Sequence, residues 1–219
     1  LERNLCKWFC EKLNLGDLSG GVAASGGSLS NLMALVIARN IAGLASDPSA
    51  VFFASDDCHV SILKAVRIMG LNQESLKKVP TNDKGELNIS CMSSMLNEIK
   101  SEGKKCFAVV ATAGTTVRGA VDPLVEISKF CQKENIWLHV DGAIGGIFAL
   151  SKITSEVIKG VGSANSVTVN PQKLLGIAKT SSLLLVANKN HLSSTFSTGL
   201  PYAEQQTGND YHGGEIGIQ

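Results

Sequence analysis

The segment IWLHVDGAIGG, residues 136–146, decides how this chain folds. Its first five residues are apolar apart from His139, which is typical of a buried strand; Asp141 ends the run and glycines follow. Similar short apolar runs occur at 51–55, 106–112, 166–169 and 181–187. Helical patterns lie between several of them, near 60–69, 90–101, 122–134 and 151–160. This alternation predicts an α/β domain with a mainly parallel sheet and helices on both faces.

The first part of the chain predicts two further helices. Leu5, Trp8, Phe9 and Leu13 recur at helical spacing, so we expect an amphipathic helix with these residues on its packed face. A glycine-rich turn follows. The sequence Gly-Gly-Ser at 26–28 then precedes a long apolar run without glycine or proline, which predicts a buried helix whose first turn lies at the glycines.

Composition limits the kind of protein this can be. The 219 residues are 44% hydrophobic and contain no Pro- or Ser-rich linker, so one domain with one sizeable core is expected. The 20 basic and 19 acidic residues form no dense basic cluster, so nucleic acid and membrane are not expected partners, and a small molecule is. Six cysteines without a Cys-x-x-Cys pair predict reduced thiols and a cytoplasmic location. No metal site is expected.

Asp141 and Lys173 are the strongest candidates for chemistry. A carboxylate at the end of a buried strand needs a donor or a cation, although it can also cap the next turn. Lys173 lies 32 positions later, directly after Asn-Pro-Gln; most lysines are only solvated surface charges. Pyridoxal phosphate requires an acid that keeps its pyridine nitrogen protonated and a lysine that carries it as an imine. The pair therefore points to that cofactor.

Three other short segments have both a structural and a functional interpretation. Gly27 and Ser28 at a helix N-terminus suit a phosphate, but a tight turn with a serine cap is also typical. His59 follows a predicted strand and can be a helix cap or a cofactor contact. Thr112 and the nearby Gly114 can orient a polar ligand or form a satisfied turn.

Five segments, in this order, resemble those of the group II pyridoxal-phosphate-dependent amino acid decarboxylases: GGVAASGGSLSNLMALVIAR, ASDDCHVSILKA, ATAGTTVRGAVDP, HVDGAIGG and ANSVTVNPQKLLG. That family includes glutamate, cysteine sulfinate, aromatic amino acid and diaminobutyrate decarboxylases. The resemblance implies the large domain of pyridoxal-phosphate fold type I, the aspartate aminotransferase-like fold. Because family members are longer, residues 1–219 are expected to be the central cofactor-binding domain of a longer chain. A homodimer with the active site near its interface is also implied.

The same resemblance implies roles for individual residues around the cofactor ring. Lys173 is expected to carry the cofactor and Asp141 to hold the ring nitrogen. His59 is expected to stack on the ring, with Ala143 on the opposite side and Thr112 near the Asp141 end. The family more often has alanine and an aromatic residue at the positions of Gly142 and Ile144.

At the phosphate and on the reacting side, the resemblance implies further contacts. Gly27, Ser28 and Asn170 are expected to bind the cofactor, with Ser166 as a further phosphate candidate. Gln172 stands where most members have histidine; it can still donate a hydrogen bond to phosphate but cannot carry charge. Counting from the lysine without a gap places Tyr202 at the position of the family's proton-donating tyrosine.

The implied reaction is decarboxylation of an L-amino acid to its amine, through the Lys173 imine and a quinonoid intermediate. The segment GGSLSN resembles the glutamate and cysteine sulfinate branch more than the aromatic one, which favours an acidic substrate. Two alternatives remain open. One is another fold type I reaction, such as transamination or desulfuration; the other is a scaffold protein that binds pyridoxal phosphate without catalysis, which only Gln172 favours.

Overall fold

The computed structural model describes residues 1–198 and 216–218, and a seven-stranded sheet forms its centre. The strands are β1 (Gly20–Ala24), β2 (Ala50–Ser55), β3 (Leu76–Val79), β4 (Lys105–Thr112), β5 (Trp137–Gly142), β6 (Ser166–Val169) and β7 (Ser182–Val186). Their order across the sheet is β1-β7-β6-β5-β4-β2-β3. The five strands from β6 to β3 pair in parallel, whereas β7 is antiparallel to both β6 and β1. The predicted mainly parallel sheet is confirmed.

Helices cover both faces of this sheet, also as predicted. They are α1 (Glu2–Leu13), α2 (Gly27–Ile41), α3 (Val60–Ile68), α4 (Ile89–Ser101), α5 (Leu124–Glu134), α6 (Pro171–Leu174) and α7 (Asn190–Phe196). One apolar cluster joins the sheet to α1, α4 and α5, and the other joins its opposite face to α2, α3 and α7. The sheet is thus buried between two layers, which explains why its strands are continuous apolar runs.

The N-terminal helix is present, but its buried face differs from the predicted one. Cys6, Phe9, Cys10 and Leu13 are each 1% exposed and face the core. The predicted Leu5 and Trp8 are instead 42% and 40% exposed. The buried set follows the i, i+3, i+4, i+7 spacing of a helix face, because the two cysteines act as small apolar residues.

Residues 151–160 do not form the expected α-helix. The segment contains only a short 3₁₀ helix, Ser155–Ile158, and another 3₁₀ helix, Gly145–Leu150, precedes it. Gly160 follows at a φ of 97°, a left-handed conformation that stops any helix there. Threonine, isoleucine and valine in this stretch also disfavour a regular helix.

The topology brings several polar residues to one edge of the sheet. Parallel strands β4, β5 and β6 end at the same edge, and Thr112 is the cross-strand neighbour of Asp141 there. β6 runs directly into α6, which carries Lys173. β1 ends three residues before Gly27, where α2 begins. Ligands of such sheets bind at the carboxyl ends of the strands and at helix N-termini.

Two further observations concern the described residues as a whole. All six cysteines are free thiols. Within residues 1–198 and 216–218, no helix is long and apolar enough to cross a membrane.

Candidate active site

A cavity of about 140 Å³ lies at the carboxyl edge of the sheet. Eight of the ten cofactor contacts expected from the sequence line it: Gly27, Ser28, His59, Thr112, Asp141, Ala143, Asn170 and Lys173. Four further residues complete the lining: Asn31, Gly114, Thr116 and Ile144. Residues that are far apart in sequence therefore meet in one small polar space.

The start of α2 forms one side of this cavity. Gly26 caps the helix, so the N–H groups of Gly27 and Ser28 cannot bond within it and are available to an anion. A side chain at Gly27 would place its Cβ 2.7 Å from Nδ2 of Asn170. Glycine at this position therefore lets the Asn170 amide lie against the helix N-terminus. The buried Oδ1 of Asn170 has no hydrogen-bond partner within the described part of the chain.

Asp141 lies at the end of β5 and is only 5% exposed. Its Oδ2 accepts a hydrogen bond of 2.8 Å from Nδ2 of Asn31, and its Oδ1 accepts one of 3.2 Å from the backbone N–H of Ala143. These donors orient the carboxylate without neutralising its charge. A buried carboxylate with neutral donors is a suitable partner for a protonated ring nitrogen.

The glycine that follows Asp141 is required by its surroundings. A Cβ at Gly142 would lie 2.9 Å from the carbonyl oxygen of Thr168 and 3.2 Å from the backbone nitrogen of Gly146. This close approach favours glycine at position 142. Ile144 also lines the cavity.

Thr112 is held at the cavity by a buried carboxylate on the next loop. Oδ2 of Asp122 accepts the backbone N–H of Thr112 at 2.7 Å, and its Oδ1 accepts that of Leu87 at 2.7 Å. Burial raises the pKa of Asp122 to about 6, against the lowering effect of these two donors. The hydroxyl of Thr112 has no protein partner among the described residues, so it can bond to a ligand.

His59 combines the two roles that its sequence position allowed. Its Nδ1 accepts the backbone N–H of Ser61 at 3.2 Å, so it caps α3. The hydroxyl oxygen of Ser61 lies 2.8 Å from the same nitrogen. Because both contacts are at Nδ1, the rest of the ring is left to line the cavity.

Lys173 lies on the one-turn helix α6, and Asn170 and Pro171 begin that helix. Proline at the first position fixes the turn, which holds the lysine against the cavity although its side chain is exposed. Gln172, the next residue back, points elsewhere. Its Oε1 accepts the backbone N–H of Ser181 at 2.7 Å, so it is outside the cavity lining.

Ser166 and Tyr202 were also predicted from the sequence as site residues. Ser166 is fully buried, and its hydroxyl lies 2.9 Å from both Nε1 of Trp137 and Nδ1 of His139. It therefore contacts these side chains inside the sheet rather than the cavity, because it precedes the carboxyl end of β6 by several residues. Tyr202 lies outside the described residues.

Sequence reasoning missed Asn31 and His139. Both are buried polar residues in apolar elements, α2 and β5, and Oδ1 of Asn31 lies 3.0 Å from Nε2 of His139. Burial lowers the pKa of His139 to about 4, although the neighbouring Asp141 raises it. Their signal in the sequence was a polar side chain at a core position, which requires a buried partner.

A larger groove, of about 760 Å³, lies on the surface next to α1 and α7. Arg3, Lys7, Glu11 and Lys189 contribute charges to it, and its lining includes none of the expected site residues. Because the expected residues line the small cavity instead, that cavity remains the candidate active site.

Comparison with known proteins agrees with this geometry. A sequence profile of the pyridoxal-dependent decarboxylase conserved domain matches residues 2–218. The chain belongs to the pyridoxal-dependent decarboxylase family. An aromatic-L-amino-acid decarboxylase of Bacillus atrophaeus is 34% identical over the whole chain, which corresponds to 46% of that relative. A cysteine sulfinic acid decarboxylase of Rattus norvegicus is 37% identical over 88% of the chain and 40% of its own length.

Solved structures of the family give the same fold. Mouse CSAD in apo form matches the whole chain with a TM-score of 0.88 and 33% identity, over 47% of that structure. The glutamate decarboxylase domain of diaminobutyrate-pyruvate transaminase and L-2,4-diaminobutyrate decarboxylase from Vibrio parahaemolyticus matches 87% of the chain and 44% of its own, with a TM-score of 0.83 and 33% identity. The chain thus spans about half the length of the relatives it matches, and the expected fold type I large domain is confirmed.

The residues of this family member fit pyridoxal phosphate. The cavity offers unbonded N–H groups at a helix N-terminus for the phosphate and a buried carboxylate for the ring nitrogen. It also offers a lysine for the aldehyde. The unpartnered oxygens of Thr112 and Asn170 provide two further polar contacts, which a bound ligand would satisfy.

Proposed function

We propose that the full-length protein uses pyridoxal phosphate to convert an L-amino acid to the corresponding amine and carbon dioxide. One observation carries this proposal: Asp141, His59 and Lys173, from three separate elements, line one cavity together with the N-terminus of α2. Family membership supports the same reaction class. The central cofactor-binding domain of a longer decarboxylase is the role that we assign to residues 1–219.

Each residue of the cavity has a distinct task in this proposal. When bound, pyridoxal phosphate supplies an electron sink for the bond that breaks as carbon dioxide leaves. Asp141 keeps the ring nitrogen protonated, so that this sink stays strong. The N–H groups of Gly27 and Ser28 hold the phosphate, and Lys173 binds the cofactor covalently between turnovers.

The remaining contacts position the ring and the substrate. His59 would stack on the ring of the bound cofactor, and Ala143, which is 9% exposed, would offer a small surface opposite it. The hydroxyl of Thr112, the cross-strand neighbour of Asp141, would contact the ring near Asp141. Gln172 would reach a phosphate only if its side chain rotated away from Ser181. Its Oε1 would then lose the hydrogen bond that it accepts from the backbone N–H of Ser181.

We further propose an acidic amino acid as the substrate. The segment GGSLSN, which resembles the glutamate and cysteine sulfinate branch more than the aromatic one, supports it. Relatives with similar identity act, by name, on aromatic amino acids, cysteine sulfinic acid and L-aspartate, so identity alone does not select among these substrates.

A homodimer with the active site near its interface is also proposed. Leu174, Leu175 and Ile177, which directly follow the cofactor lysine, are 53%, 48% and 50% exposed. Apolar side chains clustered next to a site are typical of a surface that a partner subunit covers. A cytoplasmic location is proposed from the six free thiols, which a reducing compartment preserves.

The deciding experiment incubates the full-length protein and pyridoxal phosphate with each common amino acid. Carbon dioxide release is measured and the product is identified by mass spectrometry. An amine from one or a few acidic amino acids supports the proposal, and Lys173→Ala is the control without a cofactor-binding lysine. A keto acid in place of an amine would indicate transamination. Cofactor binding without any product would indicate the scaffold alternative.

A further inference from the structure

A line of buried polar side chains runs through the sheet from Trp137 to Asp141. Nε1 of Trp137 lies 2.9 Å from Oγ of Ser166, which lies 2.9 Å from Nδ1 of His139. Nε2 of His139 lies 3.0 Å from Oδ1 of Asn31, and Nδ2 of Asn31 lies 2.8 Å from Oδ2 of Asp141. None of these five residues is more than 7% exposed, so their polar atoms must satisfy one another.

The direction of the hydrogen bonds in this line follows from the Asp141 end. The carboxylate of Asp141 requires a donor, so the amide nitrogen of Asn31 faces it and the amide oxygen faces His139. That oxygen can only accept, so His139 carries a proton on Nε2; burial lowers its pKa to about 4, so Nδ1 carries none at neutral pH. Oγ of Ser166 then donates to Nδ1 of His139 and accepts the indole N–H of Trp137, which can only donate. The bond from Trp137 is thus compatible with the direction that Asp141 sets.

A branch from Asn31 leads to the second residue at the ring. Nδ2 of Asn31 also lies 3.1 Å from Oγ of Ser61, so that oxygen accepts and its hydroxyl proton points to Nδ1 of His59, 2.8 Å away. The same Nδ1 accepts the backbone N–H of Ser61. A nitrogen that accepts from two donors carries no proton, so neutral His59 has its proton on Nε2.

Asn31 uses its full hydrogen-bonding capacity in this arrangement. Its amide nitrogen donates to Asp141 and Ser61, while its oxygen accepts from His139 and from the hydroxyl of Thr168 at 2.8 Å. Oγ1 of Thr168 also lies 3.5 Å from Nε2 of His139. A fully satisfied buried network is rigid, and reversing one member would leave several groups unpaired.

We propose that Asn31 is a positioning residue for the cofactor ring: one amide orients the carboxylate of Asp141 and directs the Ser61 hydroxyl, as a second donor beside the Ser61 backbone N–H, to Nδ1 of His59. This role of Asn31 depends on the proposed function at one point, namely that Asp141 and His59 contact the cofactor ring. Trp137, Ser166 and His139 serve to hold the Asn31 amide in the required direction. This gives the buried Ser166 a role in place of the phosphate contact expected from the sequence.

The proton positions can be measured without catalysis. The full-length apoprotein is labelled with ¹⁵N-histidine, and long-range ¹H–¹⁵N correlation spectra at neutral pH identify the protonated nitrogen of each imidazole. Both His139 and His59 are expected to carry the proton on Nε2. A proton on Nδ1 of either ring would overturn the proposal, because the line or its branch would then run in the opposite direction.

Two variants then test whether Asn31 acts on the ring. Asn31→Leu removes the amide that accepts from Nε2 of His139, so His139 should populate both tautomers, and the affinity for pyridoxal phosphate should fall about tenfold or more because Asp141 loses a donor. Thr168→Val is the matched control, since it deletes one hydroxyl bonded to the same amide without changing the amide's direction. The control should keep the His139 tautomer and the affinity within about threefold.

An Asn31→Leu protein whose His139 tautomer and cofactor affinity both equal those of the wild type would overturn the proposal. The wild-type spectrum decides the direction of the network even where that variant does not fold. The expected tautomers in a protein that releases no carbon dioxide would refute the decarboxylase function and leave the positioning role intact.

Discussion

Lys173 is the residue whose assignment can be tested most directly. It lines the cavity and follows the Asn-Pro turn that begins α6, so the cofactor should bind to it. Borohydride reduction of the loaded protein and peptide mapping should find the modified residue at Lys173. Finding the label on Lys179 or Lys64 instead would contradict the assignment.

Asp141→Asn should retain the cofactor but lose most turnover. An amide cannot hold a protonated ring nitrogen, and loss of one partner of a buried charge pair costs about 3–5 kcal/mol. If this cost falls on the transition state, the rate drops by roughly a hundredfold or more. Steady-state decarboxylation kinetics measure the effect, and a wild-type rate would mean that another group holds the ring nitrogen.

Tyr202 remains a prediction, because it lies outside the described residues. If its phenol delivers the proton that completes the amine, Tyr202→Phe should still release carbon dioxide while amine formation falls and oxidised or transaminated by-products rise. Quantifying both products separates the two steps. Equal amine production by the variant, without by-products, would make Tyr211 or His212 the next candidate.

At the residue scale, the sequence predicted most cavity residues because the family motifs place them at fixed positions. It did not predict Asn31, whose role depends on contacts with Asp141 and His139 about a hundred positions away. Ser166 was expected at the phosphate from the resemblance to the family. The strand places it several residues from the cavity edge, because it is the first residue of β6.

The loop carboxylate Asp122 and the strand residue His139 have opposite effects on how the free energy of unfolding changes with pH. The pKa of Asp122 is raised to about 6, mainly by burial and also by the nearby Glu86 and Asp57. Its contribution to the free energy of unfolding is therefore lost as pH rises through 6. The pKa of His139 is lowered to about 4 by burial, against the raising effect of Asp141, so its contribution is lost as pH falls from 6.5 towards 4. Between these limits the two effects largely cancel.

The variant Asp122→Asn should reveal the histidine effect. It removes the titrating carboxyl group, so the free energy of unfolding should fall by roughly 3 kcal/mol between pH 6.5 and 4, more steeply than in the wild type. At neutral pH the variant should also be less stable by about 1–3 kcal/mol, since one of two buried N–H groups loses its acceptor. Urea unfolding across this pH range measures both quantities. A parallel pH dependence of variant and wild type would show that Asp122 does not titrate there.

The strands that the sequence predicted and those it missed differ in composition. The five predicted strands are continuous apolar runs, which burial on both faces requires. β1 (GGVAA) and β3 (LKKV) were missed because glycine, alanine and lysine are weak strand formers. Both lie at edges of the sheet, where pairing to a single neighbour rather than local preference makes them strands.

For the whole molecule, the main prediction is a homodimer of the full-length protein. Exposed Leu174, Leu175 and Ile177 would be buried at the interface, so Leu175→Glu should weaken association and lower activity together. Light scattering gives the mass of each protein. As a control, Ile153→Glu changes a residue that is 86% exposed and has no sequence neighbour in the cavity lining, and it should leave the dimer intact. An active, cofactor-loaded monomer would contradict the prediction.

The single antiparallel strand β7 has a consequence for how the protein is made. β1, which leads into the phosphate-binding turn, pairs only with β7 in the described sheet, and Gly20 lies opposite Val186. During synthesis the ribosome therefore releases the turn about 155 residues before the strand that supports it. The parallel strands β2, β4, β5 and β6 emerge in between and can pair first. The nascent chain can fix its anion-binding turn only after β7 leaves the exit tunnel, so a translation product that stops before Ser182 has the lysine and the aspartate but no fixed place for the phosphate.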